Sequence, residues 1–257
     1  MRFNTRPLAA AALALAVAWP TLEVARAQSF SPDQRKEIEK IVREYLIGNP
    51  DVLKEVIAEA ERRQAAEDAM KYVDVIKQHS TAIFNSTHQV TLGNPKGDVT
   101  MVEFFDYNCG FCKRALTDMM TLMKADPKLR VVLKEFPVLG EGSVQAAQVA
   151  VAVRMQDKTG QKYLEFHQRL LESRNQIDKA RAMAVVKQIG LDPARIEKDI
   201  ASPEVRTTLE ESFKLADLLG INGTPSYVIG SSVVVGAVGV DQLREHINTA
   251  RCGKPKC

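Results

Sequence analysis

Apolar positions between Ser31 and about Ile83 recur at helical spacing in a charge-rich background whose only glycine is Gly48. A first helix is expected from Pro32 to Leu46. Ser31 is its N-cap, Pro32 stands at N1, and Ile38, Ile41, Val42 and Tyr45 share one stripe. Gly48-Asn49-Pro50 stops it. A second helix follows Asp51 with Leu53, Val56, Ile57 and Ala60, and runs on to Tyr72, Val73 and Ile76, the charge run 59–68 forming a solvated face. Two such helices cannot bury much by themselves, so they pack on the rest of the chain or on copies of themselves. The richness of the stripes favours an oligomerisation segment over a hairpin folded on its own domain.

Beyond the turn-rich break at residues 92–98 the period changes. Val99–Phe105 reads as a buried strand; helical spacing resumes after Gly110 through Leu116, Met119, Met120 and Met123; Leu129–Phe136 is a second strand, ended by Pro137. Residues 143–220 carry only helical patterns, punctuated at Gly160, Gly190 and Pro203, and predict four or five helices. Short strands at Ser226–Ile229 and Ser232–Val235 and a helix from Asp241 to Arg251 follow. The order β-α-β, helical block, β-β-α describes an α/β core with a helical insertion.

The first 27 residues have another pattern. Arg2 and Arg6 precede an apolar run from Leu8 to Trp19, then Pro20 and Ala25-Arg26-Ala27, which predicts a secretory signal peptide cleaved after Ala27. Its 12-residue run is well short of the ~18 apolar residues a spanning helix needs. Export suits a bacterial periplasm and makes disulfides permissible. The charge balance, 35 Lys and Arg against 32 Asp and Glu, falls to 32 against 31 once those residues are removed. No global basic footprint for nucleic acid or anionic lipid is left. With 45% hydrophobic and 26% charged residues, wholesale disorder and a multi-span membrane protein are excluded.

Candidate chemistry sits at Phe104–Lys113, where Cys109-Gly110-Phe111-Cys112 follows a strand and opens a helix. The helix N-terminus favours thiolate over thiol, so Cys109 is the expected nucleophile. Cys112, one turn on, is placed to resolve a mixed disulfide. Competing readings are half a zinc site completed by Cys252, Cys257 or a histidine, a Cu(I) thiolate site, and an inert disulfide, which would be a poor staple over so short a ring. His79, His88, His167 and His246 lack ligand spacing and are expected to be surface or satisfied histidines. The Met119, Met120 and Met123 cluster is expected in the core or lining a groove. Lys134 and Glu135 are assigned no chemistry. Cys252 and Cys257 can close a small bridge through the Gly253 and Pro255 turn, or serve as a secondary redox pair.

Taken together these motifs resemble the DsbA family of thioredoxin-like thiol-disulfide oxidoreductases. The resemblance rests on Val102–Cys112, of the form V-x-F-x-D/S-x-x-C-x-x-C, on the block 143–220, and on Gly223-Thr224-Pro225. It implies a thioredoxin-like α/β core with an inserted helical domain and an N-terminal α-helical extension. The divisions are a signal peptide at 1–27, an oligomerisation segment at 28–85 and a thioredoxin domain at 86–257. It also implies that Thr224 and Pro225 form a cis-proline loop that binds substrate with Gly110 and Phe111. Glu103 would be a buried acid moving protons for the inner thiol; the alternative is an edge residue facing water. Asn49-Pro50-Asp51-Val52-Leu53 resembles the helical extension of ScsC-like members, which implies a homo-oligomer, trimer or dimer, able to shuffle disulfides. Gly110-Phe111 offers no imidazole near Cys109. The expected function is that of an exported oxidoreductase that forms or isomerises disulfides. No cofactor is expected beyond the Cys109–Cys112 disulfide, and no metal. Partners implied are unfolded or misoxidised exported proteins and a DsbB-like or DsbD-like membrane redox protein. A copper-thiolate protein and a redox-independent holdase are the rival classes.

Overall fold

The computed structural model describes residues 30–157 and 159–257. The expected signal peptide lies outside them, and no described helix is long and apolar enough to cross a membrane. The chain divides between Ala58 and Glu59 into two compact units.

In the first unit, Ser31 starts α1 (Pro32–Gly48) with a reciprocal cap. Gln34 N donates to Ser31 Oγ at 3.2 Å, and Ser31 N donates to Gln34 Oε1 at 2.9 Å. The helix closes where the Asn49 backbone and side-chain amides both donate to the Tyr45 carbonyl. No residue of α1 is buried: Ile41 is 58% and Tyr45 56% exposed, and Leu53, Val56 and Ile57 at the start of α2 (Pro50–Gln78) are exposed too.

The second unit contains the last turns of α2, α3 (Ser80–Phe84), and a five-stranded sheet of order β1-β3-β2-β4-β5. The strands are β1 (Val90–Gly93), β2 (Val99–Phe105), β3 (Leu129–Glu135), β4 (Ser226–Ile229) and β5 (Ser232–Val235). Only β2 and β3 run parallel, joined by α4 (Gly110–Ala125). Because side chains alternate along a strand, β2 feeds two cores. Met101 and Phe105 join the larger one, under α4 and α10 (Val240–Cys252); Val102 and Phe104 join the smaller, with Ile76, Ile83, Leu215 and Leu219. Burial on both faces explains why β2 reads as a nearly continuous apolar run, interrupted by Thr100 and Glu103.

Between β3 and β4 the described residues hold the five helices α5 (Glu141–Gln156), α6 (Gln161–Leu171), α7 (Lys179–Gln188), α8 (Pro193–Ile200) and α9 (Pro203–Leu218). Helix α5 is buried nearly all round, from Ala146 through Val153, and packs against the other four. Helix α9 crosses to the smaller core.

Two elements escape the sequence pattern. β1 has only four residues, and its last, Gly93, belongs to the turn-rich break. Gly93 has φ +68°, and a Cβ there would lie 2.6 Å from the Leu129 carbonyl, so the chain can cross β3 so closely only with glycine. The five residues of α3 are too few to show a period. The second strand ends at Glu135 rather than Phe136, whose amide donates to the Phe105 carbonyl beyond the ladder.

Candidate active site

The chain leaves β2 at Asp106, a buried carboxylate that organises everything after it. Its Oδ1 accepts from the Asn108 amide at 2.7 Å and from Ser143 Oγ at 2.8 Å; its Oδ2 accepts from the amides of Val138 and Leu139 at 2.8 and 3.0 Å. A carboxylate so fully satisfied tolerates burial. Asn108 extends the clamp, donating from Nδ2 to Ser143 Oγ and the Ile177 carbonyl, and accepting at Oδ1 from the Ile177 amide. Gly142 permits this closeness, since a Cβ there would meet the Ile177 carbonyl at 2.7 Å.

The clamp delivers Cys109 as the extended N-cap of α4, its amide donating to the Asp106 carbonyl at 3.1 Å. Cys112, inside the first turn, is fully buried, and both thiols are free. The Thr224–Pro225 peptide is cis, and Cys109 Sγ lies 3.1 Å from the Thr224 carbonyl, to which the neutral thiol donates. Of the residues expected to bind substrate, Thr224 therefore touches Cys109. Pro225 follows it, Phe111 is 56% exposed with Arg114 stacked 4.5 Å over its ring, and Gly110 leaves open space where a side chain would stand.

The electrostatics separate the two sulfurs. The Cys112 thiol's hydrogen bond, then the Thr224 side chain and the amides opening α4, bring Cys109 down to about 5 against the opposing effect of burial. That same bond, then burial and the charge of Glu103, push Cys112 far up. Glu103 lies on the Met101–Phe105 face of β2, only 2% exposed. This excludes the water-facing edge reading. Burial first, then the negative charges of Asp118 and Cys109, raise its carboxyl to about 8. In the reduced protein, thiolate absorbance of Cys109 should titrate with a midpoint near pH 5, well below the ~8.5 of a free cysteine. A midpoint above 7 would remove the pre-formed nucleophile.

Other expectations resolve differently. Glu135, assigned no chemistry, is buried and accepts from Tyr163 Oη at 2.5 Å, with Tyr107 Oη 3.5 Å away; burial raises its carboxyl well above the usual range. His167 completes this knot, packed edge-on to Phe105 and brought down to about 3 by burial. Lys134 is buried as well, donating to the Ala82 carbonyl and to Glu211. Met119 is core, while Met120 and Met123 line a shallow pocket with Gly93 and Leu164. Cys252 and Cys257 are joined as a disulfide. Arg251 beside them pairs with Asp126 at the far end of α4, so these sulfurs do not converge on Cys109 and Cys112 as a zinc site requires.

Residues 100–248 match the DSBA-like thioredoxin domain, and residues 34–67 match the copper resistance protein ScsC N-terminal domain. Among solved structures, a thioredoxin-like oxidoreductase from Silicibacter pomeroyi is 41% identical, covering 66% of this chain and 96% of its own, with a TM-score of 0.63. A linker-deleted ScsC from Proteus mirabilis is 27% identical, covering 88% of this chain and 98% of its own at a TM-score of 0.64. Disulfide bond formation protein D of Bacillus subtilis is 25% identical over 65% of this chain and 78% of its own length. Two Salinispora Na(+)/H(+) antiporters match at 23% identity over 63% and 62% of this chain, which spans only 24% of their length. The thiol pair at the mouth of α4, the helical block between β3 and β4 and these matches have one explanation: the chain belongs to the DsbA-like family of thioredoxin-domain thiol-disulfide oxidoreductases.

Proposed function

We propose that this chain is an exported, periplasmic oxidoreductase that forms or isomerises disulfides in other exported proteins through Cys109 and Cys112. The observation carrying this reading is the asymmetry of the pair: an N-cap sulfur favoured as thiolate beside Thr224, over a buried partner favoured as thiol. In the oxidising direction, a substrate thiolate attacks Cys109 of the Cys109–Cys112 disulfide, and Cys112 leaves and takes a proton by way of Glu103. A second substrate thiolate then expels Cys109. Cys109 leaves readily because its thiolate is stable, so the disulfide is given away easily. A DsbB-like membrane protein would reoxidise the pair. In the isomerising direction Cys109 starts reduced, attacks a wrong disulfide and departs when the substrate rearranges, which needs a DsbD-like reductant.

Phe111, Val138 and Leu139 are exposed apolar residues on the segments around Cys109, suited to unfolded chain rather than a small polar substrate. Thr224 and Pro225 would hold that chain extended. The uncovered stripe of α1 supports a homo-oligomer, trimer or dimer, built through the N-terminal helices.

Reactivation of a scrambled-disulfide protein in glutathione buffer tests the reading. The full chain from Gln28 should reactivate it, and a form beginning at Glu59 should oxidise dithiols but isomerise several-fold more slowly. Cutting later would damage the fold, because Ile76 belongs to the smaller core. If neither form exchanges disulfides while the reduced protein binds Cu(I) stoichiometrically, a copper-thiolate role replaces this one. Activity as a folding holdase that survives Cys109→Ser would also displace it.

A further inference from the structure

The redox site leaves the Cys252–Cys257 disulfide unused. The buried residues of α10, Leu243 and Ile247, precede it, and residues 252–257 are exposed, so the bond encloses no core. Its ring is short, and cross-linking a short loop removes little chain entropy. Asn248 Nδ2, donating to the Pro255 carbonyl at 2.9 Å, ties the segment to the helix. An exposed disulfide of this kind is labile rather than structural.

Its position rules out exchange within one molecule. Arg251 donates to Asp98 at the turn before β2 and to Asp126 at the C-cap of α4. The 16 residues of α4 span about 24 Å between that end and Cys109. A partner for this pair must come from another molecule.

We infer that Cys252 and Cys257 are a substrate of the protein's own redox site in trans: the oxidised Cys109–Cys112 pair of one copy makes the Cys252–Cys257 bond of another. This rests on the oxidoreductase reading above. The thiolate of Cys257 attacks Cys109 Sγ, forming a Cys257–Cys109 bond and breaking Cys109–Cys112. Cys252 then attacks Cys257 Sγ and expels Cys109 as thiolate. Two electrons pass from the 252/257 dithiol to the active-site disulfide; one thiol proton goes to Cys112 and the other to water. Cys257 attacks first because it lies beyond the helix beside Lys256, whereas Cys252 occupies the last turn of α10, where the helix end opposes a negative charge. The stable Cys109 thiolate draws the exchange forward.

The test uses two full-length variants. The reduced substrate carries Cys109→Ser and Cys112→Ser; the oxidised catalyst carries Cys252→Ala and Cys257→Ala. Free thiols on the substrate are counted by alkylation and mass spectrometry. Their loss should be first order in each protein and at least ten-fold faster than with glutathione disulfide at equal concentration. The trapped intermediate should join Cys109 to Cys257. A catalyst that oxidises a reduced unfolded protein but leaves these thiols at the glutathione rate overturns the inference and spares the oxidoreductase reading. A catalyst that oxidises neither overturns both.

Discussion

Replacing Cys109 with serine should lower thiol–disulfide exchange by at least about 10³-fold, since a hydroxyl at the mouth of α4 is neither ionised nor able to form the mixed disulfide. Replacing Cys112 with alanine should have a different signature. The first attack survives, but nothing inside the protein resolves it, so mixed disulfides through Cys109 accumulate on non-reducing gels. The second change should also raise the Cys109 titration midpoint above its value near 5, because the hydrogen bond from Cys112 is the largest cause of that depression. Equal residual activity in the two variants would contradict the division of labour between an outer nucleophile and an inner resolving thiol.

Glu103→Leu should make the reduced protein more stable and less active. In the folded state Glu103 keeps its proton up to about pH 8, whereas in the unfolded chain it ionises near 4.5. The folded state therefore binds the extra proton between those values, and stability falls as pH rises through that window. The cost at pH 7 is about 3 kcal/mol, and it vanishes at pH 4. The leucine variant should recover most of that in denaturant melts at pH 7 and gain far less at pH 4. If Glu103 moves the Cys112 proton as proposed above, turnover should drop by about a hundred-fold, the low end for losing a general acid or base. A gain independent of pH would mean that Glu103 is not the buried acid responsible.

The pattern of the chain carried the scaffold well, and the reasons differ by element. Strand β2 was legible because both its faces are buried, and α4 because its apolar positions keep one period from Leu116 to Met123. The cysteine pair stood out because its spacing has few other uses. The knot of Glu135, Tyr107, Tyr163 and His167 was not legible. Its members lie up to 60 positions apart, and only the folding of α6 over the sheet brings them together. Glu135 sits at a strand end, where an acid ordinarily reads as solvent-facing. Asp106 stood inside a recognised motif, and its preference for local turns was available as a signal, but its reach to Val138, Leu139 and Ser143 needed the third dimension.

Cys109 and the Thr224 carbonyl beside it are 115 positions apart, and the Asn108 clamp waits on Ile177, 69 positions downstream. A ribosome makes these parts in order, so the thiol pair is in the chain well before the loop that faces it. Until then, Cys109 has the Cys112 thiol and the amides opening α4 beside it, but not the Thr224–Pro225 loop that faces it in the finished fold. Closing such distant contacts is also slow, which places maturation of the site late in folding. The topology thus acts as a timer: the thiol pair comes first, and the loop that faces it and the clamp that holds it are complete only when the fold is whole.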